Sequence, residues 1–111
     1  MILKSVIAAS LLVSGAAFAQ ADSLPTKANL KGTWWVYVNG NKLGHVIIAP
    51  GGTVRAIKTS GETDSGHWRV SPNDRYCVTF NKWGDHTEHC SNLRIDGKGV
   101  AHGDGFSAAR H

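Results

Sequence analysis

The sequence predicts an all-β fold: a small antiparallel β-barrel or sandwich of about six to eight short strands, closed by one disulfide. Three observations lead there. β-branched and aromatic residues cluster in short runs, such as "GTWWVYV" at 32–38 and "RYCVTF" at 75–80. Turn residues punctuate those runs every several positions, and no stretch carries an apolar period of 3.6. The two cysteines, Cys77 and Cys90, flank one of the turns.

The chain has 111 residues, which allows one small domain. Its start, "MILKSVIAASLLVSGAAFAQ", has the layout of a secretory signal. Lys4 supplies a positive charge, an apolar run extends from Ser5 to Val13, and Ala17-Phe18-Ala19 is an A-x-A cleavage site. The expected organisation is a signal peptide at 1–19, a polar lead-in at 20–31 and a single β domain at 32–111. The apolar run is too short to span a bilayer, so no transmembrane segment is expected after cleavage, and the location is periplasmic or secreted. Removing the signal lowers the apolar share from 41% to about 35%, a modest core that gains from a covalent staple.

The elements follow in order. "QADSLPTKANLK" (20–31) is the lead-in, with Pro25 opposing a helix. "GTWWVYV" is the first strand. Asn39-Gly40 is a hairpin turn, because both positions tolerate positive φ. "LGHVIIA" (43–49) returns, "PGG" (50–52) turns again, and "TVRAIK" (53–58) is the third strand. "TSGETDSG" (59–66) reads as a flexible connection. "HWRVS" (67–71) places Trp68 and Val70 on one face, with His67 and Arg69 on the other. "RYCVTFN" (75–81) and "HTEHCSNLRI" (86–95) are the fifth and sixth strands, and "VAH" (100–102) is a last short one.

The segment "RYCVTFNKWGDHTEHC" (75–90) poses a choice between a metal site and a stapled hairpin. A turn at Lys82-Trp83-Gly84-Asp85 puts Asn81 opposite His86 and Cys77 opposite Cys90, within reach of a disulfide. Cysteines in an exported chain are normally oxidised to each other. Tyr76, Val78 and Phe80 then share the core face, and the staple lies on the other. A metal site using His86 and His89 is disfavoured, because residues three apart on a strand face opposite ways and the spacing is not a zinc pattern. No metal and no cofactor are expected.

The opening Gly32-Thr33-Trp34, a G-x-W on the first strand after a signal peptide, resembles the start of calycin-type barrels such as lipocalins, and of small bacterial metalloprotease inhibitors of related design. Further on, "APGGTV", "GHWRV", "RYCVTF" and "EHC" resemble a family of short exported proteobacterial proteins of unknown function. The resemblance covers roughly residues 30 to 95 and implies periplasmic location and a small β-barrel or sandwich. The chain is shorter than lipocalins, at about 92 residues after cleavage, which predicts little room for a ligand cavity.

Charge and motifs narrow the function. The formal net charge is +4, with Lys and Arg scattered rather than in runs, so nucleic acid is not the expected partner. There is no G-x-S-x-G, H-E-x-x-H, phosphate loop or C-x-x-C-H, and an enzyme is not expected. The remaining signal is aromatic. Trp34 alternates with Val36 and Val38 toward the core, leaving Trp35 and Tyr37 on the opposite face and Trp83 at a hairpin tip. These three are the candidate partner-binding residues. The expected function is binding of a protein or envelope component, without catalysis. The alternatives are inhibition of a secreted hydrolase, such as a protease or lysozyme, and metal binding through His86 and His89.

Overall fold

In the computed structural model, which describes residues 22–111, the chain runs as an antiparallel meander. One helical turn, α1 (Lys27–Leu30), precedes nine strands: β1 (Gly32–Val38), β2 (Asn41–Ile48), β3 (Thr53–Lys58), β4 (Thr63–Val70), β5 (Arg75–Phe80), β6 (His89–Asn92), β7 (Arg94–Ile95), β8 (Ala101–His102) and β9 (Ser107–Arg110). They form one sheet in the order β6-β5-β4-β3-β2-β1-β9-β8-β7. Only Leu93 separates β6 from β7, so the chain itself joins the two ends of the sheet. One bent segment pairs with β5 through β6 and with β8 through β7, and the sheet curls into a nearly closed barrel. Across the bend, Asn92 N–H donates to Asp104 Oδ2 at 3.0 Å and Asp104 N–H donates to Ser91 Oγ at 3.0 Å.

The turns follow from their residues. Asn39 (φ 53°) and Gly40 (φ 78°) both take positive φ, as a two-residue hairpin requires. Gly44 and Gly66 serve a different need. A Cβ on Gly44 would collide with the Ile57 carbonyl, and one on Gly66 with the Thr79 carbonyl. Bare backbone at these two points lets neighbouring strands approach closely where a small barrel bends.

The interior is apolar. Trp34, Ile48, Val54, Trp68, Leu93, Ile95, Ala101 and Ala108 form the core with Leu30 of α1. On β3 and β4, Arg55, His67 and Arg69 point outward and are exposed. Apolar inside and charged outside is the reverse of the pattern on a lipid-facing barrel. Among the described residues, no helix is long and apolar enough to cross a membrane.

The predicted signal peptide lies outside the described residues. Several other expectations need correction. The lead-in is not merely polar: its helical turn carries a capping box, Thr26 Oγ1 accepting from Asn29 N–H (3.0 Å) and Asn29 Oδ1 from Thr26 N–H (2.7 Å). It closes the barrel base with Leu30, which is 2% exposed. The flexible connection shrinks to 59–62, since β4 begins at Thr63 and pairs with β3 from there. The closing strand β9, "SAAR", was not anticipated, because three of its four residues are small and carry no β signal.

Candidate functional site

The barrel interior is not filled. An apolar cavity of about 270 Å³ runs from Leu30 and Trp34 at the base to Val38, Leu43, Phe80 and Phe106 at the rim. The space that exists has a local cause. Val36, Val46, Val78, Ala101 and Ala108 line the wall, and these small side chains leave space that larger ones would occupy in a barrel of this strand number. At the base, Arg110 closes the structure by donating to the carbonyls of Lys31 and Asn29, both at 2.6 Å. Its guanidinium lies 4.0 Å from the Trp34 ring centroid. Trp34 Nε1–H donates to the Leu30 carbonyl at 2.9 Å, tying α1 to β1.

The rim is open. Leu43, at this rim, is 44% exposed. Trp83 stands beside this rim, its ring 5.4 Å from Phe80, with Lys58 Nζ 4.7 Å from its centroid. Trp83, Phe80, Leu43, Val46 and Ile57 also line a second apolar cleft of about 180 Å³.

What positions Trp83 is a residue to which the sequence reading gave no structural role. Asp64 sits in "TDSG", read as a flexible connection, yet it is 6% exposed. Its Oδ2 accepts from the N–H groups of Lys82 (2.8 Å) and Trp83 (2.9 Å), and its Oδ1 from Ser65 N–H (2.8 Å). Burial works to raise its pKa, but the three N–H donors outweigh it and hold the carboxyl below its usual value. No apolar period surrounds Asp64, and its partners lie 18 and 19 residues away, so no local signal marks it. A recess of about 420 Å³ also lies here, lined by Arg55, Thr63, Asp64, Ser65, Asn81 and Lys82. All of these but Asp64 are exposed, and Asp64 is already occupied by backbone donors, so the recess offers no committed polar group. The apolar interior is the better candidate site.

Trp35 and Tyr37 do lie on the outer side of β1, but neither is freely exposed. His111 stacks on Trp35 with centroids 4.6 Å apart, His45 meets it edge-on at 5.0 Å, and Lys42 Nζ lies 4.1 Å from its centroid. The structure therefore separates the three predicted residues by role: Trp83 belongs to the rim, while Trp35 and Tyr37 belong to the outer wall.

Cys77 and Cys90 are paired directly across β5 and β6 and are disulfide-bonded, with Cα atoms 4.0 Å apart. The staple is on the outward side, as the register predicts, but Cys77 is fully buried. The carboxylate of Glu88 and both sulfurs lie within 4.8 Å of one another. Oxidised sulfurs are not thiolate ligands, so this group does not make a metal site while the disulfide persists. Glu88 is itself held by Arg69 in a bidentate pair at 2.7 and 2.8 Å.

The ladder ends at Val78 and His89, earlier than the tight hairpin of the sequence reading. Gly84, Asp85 and His86 all take positive φ, and the loop is wider. His86 Nδ1 lies 3.0 Å from the Phe80 carbonyl and His89 Nε2 lies 3.2 Å from the Gly84 carbonyl. The two histidines thus brace the loop that carries Trp83.

No protein-family model matches this chain, and neither the curated proteins nor the solved structures yield a match.

Proposed function

We propose that this protein acts by binding an envelope component, and that the part it grips is an apolar chain taken into the barrel. The carrying observation is the apolar cavity of about 270 Å³ under an open rim. Sites for drug-sized ligands run from roughly 300 to 1,000 Å³, so the occupant is smaller, such as a medium-length alkyl or acyl chain. Trp83 and Leu43 at the rim provide apolar contact for the portion that emerges. The disulfide is compatible with an oxidising, extracytoplasmic location.

The test uses the full chain, processed and oxidised, titrated with 1-bromodecane. Bromine in the cavity quenches the Trp34 fluorescence, since Trp34 lines the wall. Saturable quenching at one equivalent, lost when Val78→Phe fills the cavity, is the expected result. Quenching that rises without saturation, or that survives Val78→Phe, argues against an interior site.

A second reading draws on the outer wall. Trp35 lies diagonally across from Ile47, which is 41% exposed and on the neighbouring strand, and Tyr37 follows on the same outer face of β1. This aromatic and aliphatic surface suits a protein partner, a secreted hydrolase among them. A protein captured by the oxidised chain and released by Trp35→Ala, with 1-bromodecane binding unchanged, would favour it.

A further inference from the structure

We propose that the bound chain carries one uncharged hydrogen-bond acceptor, a carbonyl of the ketone, ester or amide type, seated against the Tyr76 hydroxyl. This rests on the interior binding reading above and specifies its ligand.

The argument is an inventory of polar atoms. Of the side chains lining the cavity, only those of Trp34 and Tyr76 carry any. The indole N–H of Trp34 is taken by the Leu30 carbonyl. Among the described residues, the Tyr76 hydroxyl has no hydrogen-bond partner, and burial alone, without a partner group, pushes it up to about 12. It is therefore a protonated donor throughout the physiological range. The backbone of β5 is occupied in ladders with β4 and β6 on either side.

Tyr76 is half-buried, and an apolar chain that fills the cavity shuts its hydroxyl off from water. A hydroxyl so covered and left without a partner is costly. A carboxylate is excluded from the same place, since no Lys, Arg or His lines the cavity to balance it. A neutral acceptor satisfies the donor without bringing a charge. Tyr76 lies on the inward face of β5, four residues from the rim residue Phe80, so the acceptor is held well inside the cavity. Tyr76 would thus set specificity, since a site with a committed polar group discriminates against analogues lacking its complement.

The experiment displaces 1-bromodecane from the oxidised full chain with decane and with 2-decanone, which differ by one carbonyl. Relative to decane, 2-decanone is expected to bind the native protein about 3- to 10-fold better than it binds Tyr76→Phe, which keeps the ring and removes the donor; that is the range one net hydrogen bond supplies. Decane binding is expected to be unchanged in the variant. A ratio of the two probes that is the same in the native protein and in Tyr76→Phe overturns the proposal without touching the interior site. The infrared carbonyl stretch of 2-decanone bound to the native protein, expected at lower frequency than in an alkane solvent, tests the hydrogen bond even if the variant folds poorly, and an unshifted band overturns it. Failure of both probes to bind would instead bring down the interior reading itself.

Discussion

At the scale of single residues, two adjacent tryptophans show how strand alternation divides one dipeptide between two jobs. Trp34 points inward, is 2% exposed and both lines the cavity and anchors α1. Trp35 points outward, half-buried under His111 and beside His45. Trp34→Ala is expected to cost about 3–5 kcal/mol, the usual range for removing a buried aromatic. Trp35→Ala is expected to cost no more than about 1.5 kcal/mol, the worth of an aromatic contact beyond its area. Urea unfolding of both variants checks the ratio, and equal losses would mean the outer stack is part of the core. The alternation was legible in the sequence. The histidine cover on Trp35 was not, because His111 reaches it only after β9 pairs with β1.

At the scale of elements, the hairpin β5–β6 joins a staple to a binding rim. The disulfide closes its base, Asp64 holds the backbone of Lys82 and Trp83, and His86 and His89 meet carbonyls of its loop. A cross-link over 13 positions constrains a short loop and is worth about 3 kcal/mol. Replacing both cysteines by alanine is therefore expected to lower unfolding free energy by about that amount, read by denaturant titration against the oxidised chain. A matching loss on simple reduction would attribute the effect to the bond rather than to packing of Cys77. The pairing of Cys77 with Cys90 was readable because a hairpin register is arithmetic once its turn is located. The role of Asp64 was not, since its contacts depend on β4 bringing "TDSG" alongside the loop of another hairpin.

At the scale of the whole molecule, three carboxyls in different parts of the barrel share one acid response. Asp64 is lowered by its backbone donors against the opposing effect of burial, and Glu88 by hydrogen bonds from Arg69. Asp96 is lowered to about 2, chiefly by the His102 hydrogen bond at 2.9 Å and by Val100 N–H. A carboxyl depressed in the folded state contributes stability that is present above its unfolded pKa and is lost as pH falls through its folded one. The urea midpoint is thus expected to hold steady from neutral pH to about 5, then to fall between about 4 and 2. Asp96→Asn should flatten the lower end of that fall. A midpoint independent of pH below 4 would contradict the assignment.

The sequence by itself determined the β class, the hairpin at Asn39-Gly40, the inward and outward faces of β1, β4 and β5, and the pairing of Cys77 with Cys90. Each of these follows from period-two alternation or from the conformational demands of one turn, both local. Tertiary structure alone decided three other features. Closure of the barrel depends on β9 and β7, whose short strands are recruited by the edges waiting for them. The burial of Asp64 depends on donors far along the chain. The cavity exists because small wall residues from several strands meet across the interior, and unfilled volume is a property of the assembled barrel that no single strand carries.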